Sequence, residues 1–162
     1  MFKNMEILMV CLGNICRSPL AEGILQAKAA AAGLDWIVES AGTGGYHNGE
    51  APHKLSQKVA QLNGIDISSQ RGRQYVATDM DQFDRIYTMD EDNYQEVKRI
   101  SGRHFKPEKT DLILNSLYPG ENRSVPDPWY GTEPGYHDVF ELLSKACDRI
   151  IADYLQATKY RQ

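Results

Sequence analysis

The chain has 162 residues, 41% of them hydrophobic and 25% charged, which is enough for one domain with a sizeable core. A net charge of −4 argues against broad nucleic-acid or anionic-membrane binding, because both draw on basic surfaces. No apolar run approaches the roughly 18 residues of a membrane span, Met1–Glu6 is too polar for a signal peptide, and three cysteines make no disulfide scaffold, so a reduced cytoplasmic protein is expected.

The elements alternate in type along the chain. Glu6–Cys11 reads as a buried strand through Ile7-Leu8-Met9-Val10. Ser18–Ala32 reads as a helix stopped by Gly33. A second strand follows at Trp36–Ser40, then a glycine-rich loop over Gly42–Ala51 and a helix over Pro52–Leu62 that Asn63-Gly64 ends. Thr78–Gln82 reads as a turn before a third strand, Arg85–Met89, and Asp90–Ile100 as a helix with acidic residues at its positive end. Asp111–Leu114 reads as a fourth strand and Ser124–Pro134 as a loop. The last helix, about Gly135 to Ala157, carries Val139, Leu142, Leu143, Ala146, Ile150, Ile151 and Tyr154 at the helical period. The alternation predicts an α/β fold, a single domain over 1–162 with three αβα layers and a four-stranded, mostly parallel twisted sheet. Ligands in such folds bind beyond the carboxyl ends of the strands, where Cys11 lies.

The run Cys11-Leu12-Gly13-Asn14-Ile15-Cys16-Arg17-Ser18 carries the chemistry. A cysteine where a strand gives way to a helix faces the positive end of that helix, whose free N–H groups hold an oxyanion. A free thiol is only a few per cent ionised at neutral pH. Arg17 and the Ser18 hydroxyl are the residue types that assist it. Five residues between Cys11 and Arg17 let the backbone wrap a phosphate-sized anion, with the arginine fork taking two of its oxygens. Gly13 offers unusual dihedrals and Asn14 tolerates the left-handed region. The Gly-Lys-Ser/Thr ending of a nucleotide loop is absent. A buried cysteine after a strand is also ordinary core material, and spacing alone leaves both readings open.

The whole run resembles the signature of the low-molecular-weight protein tyrosine phosphatases. Asp127-Pro128-Trp129-Tyr130 resembles that family's Asp-Pro-aromatic-aromatic loop, and Ser40-Ala41-Gly42-Thr43, Asn63-Gly64-Ile65, Phe83-Asp84 and Met89-Asp90 extend the likeness in order through the chain. The resemblance implies a phosphate-binding loop after the first strand, formed by Leu12, Gly13, Asn14, Ile15, Cys16 and Ser18. It implies Cys11 as nucleophile, Arg17 as phosphate ligand and Asp127 as general acid and then base. Trp129, Tyr130 and Tyr46 would wall an aryl group, although a lone aromatic such as Tyr46 is more often a packing residue. Related arginine phosphatases carry threonine at the position of Ile15, so Ile15 favours phosphotyrosine. The resemblance also implies that Cys16 traps an oxidised Cys11 as a reversible disulfide, and the alternative is a small buried residue of the first helix turn. Cys147 reads as core. His47, His53, His104 and His137 lack ligand spacing, so neither metal nor other cofactor is expected, and His47 and His53 read as solvated loop residues or as edges of the pocket. Where many relatives brace the loop with histidine, this chain has Gln70, which would have to bond Asn14 or Ser18. Arg71 and Arg73 read as surface charges. The expected partner is a tyrosine-phosphorylated protein, acted on by a monomer or a weakly self-associating chain. An arsenate reductase and a non-catalytic phosphopeptide reader are the alternatives, disfavoured respectively by the missing relay cysteines and by the presence of nucleophile and acid together.

Overall fold

The computed structural model describes residues 4–159. The ends of the expected 1–162 domain, including Met1–Lys3 of the polar N-terminus, lie outside the described residues. In chain order the elements are β1 (Glu6–Cys11), α1 (Arg17–Ala31), β2 (Ile37–Gly42), α2 (Lys54–Leu62), α3 (Asp79–Gln82), β3 (Arg85–Thr88), α4 (Glu91–Ser101), β4 (Thr110–Leu112) and α5 (Glu133–Lys159). The sheet has the order β2-β1-β3-β4 and every pairing is parallel.

β1 sits between two neighbours, and Ile7, Leu8, Met9 and Val10 are all fully buried. A strand covered on both faces must be apolar on both, which is why this run does not alternate with polar residues. Successive side chains still point to opposite faces. Ile7 and Met9 join Leu20, Ile24 and Leu25 of α1 and Val139, Leu143 and Ile150 of α5. Leu8 and Val10 join Tyr75, Met80, Phe83, Ile86 and Val97 on the α3–α4 side. The result is the expected three layers. Each such aliphatic side chain contributes about 1.5–3 kcal/mol by leaving water.

The element boundaries depart from expectation in several places, β2 running from Ile37 to Gly42 and α2 starting at Lys54 among them. β4 ends at Leu112, and Ile113–Ser116 is a 3-10 turn instead of strand. β3 stops at Thr88, paired with Leu112, so the residues beyond have no strand to pair with. Thr78–Gln82 contains the short helix α3 in place of a turn. α5 begins at Glu133, with Pro134 in its first turn, where a missing N–H costs nothing. The predicted stop of α1 is present: Gly33 takes φ +74°, and Leu34 N donates to Ala29 O at 2.9 Å. Among the described residues no helix is long and apolar enough to cross a membrane.

Candidate active site

β1 delivers Cys11 to the carboxyl edge of the sheet, and the chain turns through Leu12–Cys16 before α1 begins at Arg17. No side chain caps the start of α1, which leaves its positive end to the loop. The loop carbonyls are drawn outward: Thr43 N donates to Cys11 O at 2.9 Å, Gly44 N to Leu12 O at 2.8 Å and His53 N to Ile15 O at 2.9 Å. Outward carbonyls are what a wrap with inward N–H groups requires. One of those groups, Asn14 N, already donates to Cys11 Sγ at 3.2 Å. Gly42 lies directly against the loop, where an added Cβ would meet Leu12 O at 2.9 Å and Asn14 N at 3.1 Å.

Asn14 holds the loop in shape. It adopts φ +54°, as its residue type permits. Its Nδ2 donates to Ser18 Oγ and to Ser40 Oγ, each at 2.9 Å, and its Oδ1 accepts from Arg73 N at 3.1 Å. Ser18 Oγ lies 3.0 Å from Cys11 Sγ. Because Ser18 accepts from Asn14, its own proton is free to face the sulfur. Ser40 in turn donates to Glu22 Oε1 at 2.7 Å, and burial pushes the Glu22 carboxyl up to about 7 against the lowering effect of that bond.

Three expectations about the loop are corrected. Gln70 contacts neither Asn14 nor Ser18. Its Nε2 donates to Pro19 O at 3.1 Å, and its buried Oε1 has no partner among the described residues. Ser40 and the Arg73 backbone do the bracing, Ser40 from β2 beside β1 and Arg73 from the crossover that follows β2. Arg73 is no free surface charge: its guanidinium grips the buried Asp79 carboxylate at 3.0 and 3.1 Å, which fixes the segment whose N–H holds Asn14. Gly13 is not among the residues of positive φ. It serves close approach instead, since a Cβ there would come within 3.1 Å of His47 Cδ2.

Arg17 is 4% exposed and is positioned before any ligand arrives. Its Nη1 donates to Asp90 Oδ2 at 2.8 Å and to Val125 O at 2.9 Å. Asp90 also caps α4, accepting from Asn93 N at 2.8 Å. An acidic residue at a helix start was legible in the sequence, but its second oxygen on Arg17 was not. Asp127 lies across the mouth, with Oδ2 3.8 Å from Arg17 Nη2 and Oδ1 accepting from Trp129 N at 3.0 Å.

Cys11, Leu12, Gly13, Ile15, Cys16, Arg17, Tyr46, His47, Asp127, Trp129 and Tyr130 line one cavity of about 360 Å³. All three expected aromatics reach it, Tyr130 almost wholly exposed. Asn14 and Ser18 lie beneath it as supports. Cys16 is buried with Sγ 3.7 Å from the Tyr136 hydroxyl, and burial pushes its thiol up to about 11. Cys147 is fully buried on α5, as expected. His47 and His53 are not free loop histidines. His47 lines the cavity and pairs with Glu50 at 2.8 Å. Both rings flank Trp129, at 5.4 and 5.5 Å between centroids. Composition gave no signal for either contact. Among the described residues there is no cluster of side chains able to hold a metal ion.

Residues 6–160 match the family model for low molecular weight phosphotyrosine protein phosphatase. A putative low molecular weight protein-tyrosine-phosphatase of Synechocystis is 37% identical over 91% of this chain and 94% of its own. The low molecular weight protein-tyrosine-phosphatase YfkJ of Bacillus subtilis is 35% identical over 91% and 94%. The crystal structure of YfkJ superposes with a TM-score of 0.87 at 33% identity over 98% of each chain. A protein tyrosine phosphatase of Entamoeba histolytica, solved with Hepes in its active site, gives 0.86 at 35% identity over 96% and 99%. With Cys11, Cys16 and Arg17 in the loop that follows β1, the chain belongs to the low molecular weight protein tyrosine phosphatases.

Proposed function

We propose that the chain hydrolyses phosphotyrosine in proteins, and small aryl phosphates, through a phosphocysteine intermediate. The placement of Cys11 Sγ between the Ser18 hydroxyl and Asn14 N–H, beside a pre-held Arg17, carries this reading. The Cys11 thiolate attacks phosphorus as the loop N–H groups and the Arg17 fork hold the non-bridging oxygens. The P–O bond to the aryl group breaks, and Asp127 gives the departing oxygen its proton. Asp127, now a carboxylate, takes a proton from water as that water attacks phosphorus. The S–P bond breaks, inorganic phosphate leaves, and the thiolate is restored. Tyr46, Trp129, Tyr130 and Ile15 supply the flat apolar surfaces that suit a phenyl ring better than a short alkyl chain.

The finer parts of the proposal are a cytoplasmic setting, a monomer with at most weak self-association, and redox protection by Cys16. The three free cysteines support the first. In the last, peroxide oxidises Cys11 to the sulfenic acid, which condenses with the Cys16 thiol to a disulfide and releases water.

Steady-state turnover of para-nitrophenyl phosphate tests the central reading. It should persist in EDTA, and Cys11→Ser should reduce it to background. Robust turnover by that variant would sink the proposal. A panel of peptides phosphorylated on tyrosine, serine or arginine should show hydrolysis of the tyrosine ester first.

A further inference from the structure

We propose that His53 is a positioning residue for the acid loop: held between the rings of Trp129 and Tyr136 and tied to the phosphate loop by its backbone, it sets where Asp127 stands relative to Cys11. This rests on the reading of Asp127 as the acid. Asp127 has few restraints of its own. One oxygen accepts from Trp129 N within the Pro128–Tyr130 turn, and the other lies 3.8 Å from Arg17. Tyr130, 93% exposed, anchors nothing. Pro128 is buried and seats the base of the turn, and the indole of Trp129 is the handle by which its outer part is fixed over the cavity.

Two rings hold that handle, and they are held differently. His47 belongs to a segment punctuated by Gly44, Gly45 and Gly49, and its ring pairs with the exposed Glu50. His53 is secured on four sides. Its N–H donates to Ile15 O at 2.9 Å, inside the phosphate loop. Its Nδ1 accepts from Leu55 N at 3.1 Å and so caps α2. Its ring stacks on the fully buried Tyr136 of α5, 5.2 Å between centroids and 21° apart. It meets the Trp129 ring edge-on at 5.5 Å and 75°. One residue thus touches the phosphate loop, two helices and the acid turn. Burial, with Lys54 adding to it, lowers the basicity of the imidazole, the direction that favours an accepting Nδ1.

Two substitutions separate the ring from the cap. His53→Asn keeps an acceptor for Leu55 N and removes the ring, whereas His53→Phe keeps a flat ring and removes the acceptor. The readouts are kcat/KM for phenyl phosphate and for para-nitrophenyl phosphate, and acrylamide quenching of tryptophan fluorescence, in which buried Trp36 contributes a constant background. His53→Asn should lower kcat/KM for phenyl phosphate about ten-fold more than for the nitrophenyl ester, because a small displacement of the acid matters most for a poor leaving group. It should also expose Trp129 to quencher. His53→Phe should restore both properties to within about two-fold of the parent, melting about 2–4 °C lower for the lost cap. Unchanged quenching in His53→Asn, or His53→Phe as impaired as His53→Asn, overturns the proposal. Asp127→Asn separates the two claims. A steep leaving-group dependence there with none in His53→Asn overturns the positioning role alone. Equal slowing of both esters by Asp127→Asn overturns the acid assignment, and the quenching of the two His53 variants then decides the positioning role.

Discussion

The two sides of the cavity are built on opposite principles. The phosphate loop is cross-linked from beneath by buried polar side chains: Asn14 alone has four hydrogen-bond contacts, and Arg17 is fixed by Asp90 and Val125. The acid turn is exposed apart from Pro128 and is held by two internal hydrogen bonds, the 3.8 Å approach of Asp127 to Arg17 and the two imidazoles beside Trp129. The anion cradle is therefore pre-organised, so its donors need no rearrangement when charge develops on the phosphoryl oxygens. In the proposed mechanism Asp127 approaches a leaving group, donates and then serves a water, which suits a segment of low local stability. Loss of a side chain should cost folding on one side and rate on the other.

The largest effect is expected on the exposed side. Asp127→Asn should reduce kcat/KM for phenyl phosphate about 10³-fold, within the usual worth of a positioned proton donor. Its stability should stay within about 0.5 kcal/mol of the parent, since surface changes away from buried networks cost little. A large drop in melting temperature would erase the contrast between the two sides.

Asn14→Ala should do the reverse. It strands Ser40 and Arg73 N without their partner and places alanine at positive φ. Urea unfolding should show a loss of about 3 kcal/mol, and activity should fall for all leaving groups alike. A leaving-group-dependent loss would mean that the two sides are coupled through the loop.

Glu22 sharpens the comparison through pH. Its folded carboxyl, held up to about 7 by burial, binds a proton more tightly than an unfolded glutamate. The stability it lends is fully present below the unfolded value near 4.5 and is lost as pH rises through about 7. Glu22→Gln keeps an acceptor for Ser40 without the charge. It should stabilise the protein by about 2 kcal/mol at pH 8 and change little at pH 4.5. Thermal melts across that range check the sign. Equal shifts at both pH values would refute it.

The smallest effect is expected at Gln70. Gln70→Leu gives up one bond to Pro19 O and removes a buried, unpartnered oxygen, two changes that oppose one another. Stability should change by less than about 1 kcal/mol, and kcat should hold. A loss comparable to that of Asn14→Ala would show that Gln70 braces the loop after all.

The local order was legible in the sequence because it follows from covalent geometry. The apolar run at Ile7–Val10, the glycine at position 33 and the helical period of α5 each specify an element without reference to the rest of the chain. The loop from Cys11 to Ser18 was legible for the same reason: nucleophile, turn residues and arginine are local, and strand and helix ends set their relative placement. Asp127 was legible through the resemblance its Asp-Pro-Trp-Tyr run carries. What tertiary structure decided was partnership across long separations. Asn14 meets Ser40 and Arg73 N, Asp90 turns its second oxygen to Arg17, and His53 reaches Trp129. Those pairings depend on where parallel crossovers deposit the segments after β2, and on the rule that buried polar groups find partners, which names no partner in advance. The same crossover leaves Gln70 at Pro19 instead of Asn14, a placement that no sequence pattern encodes.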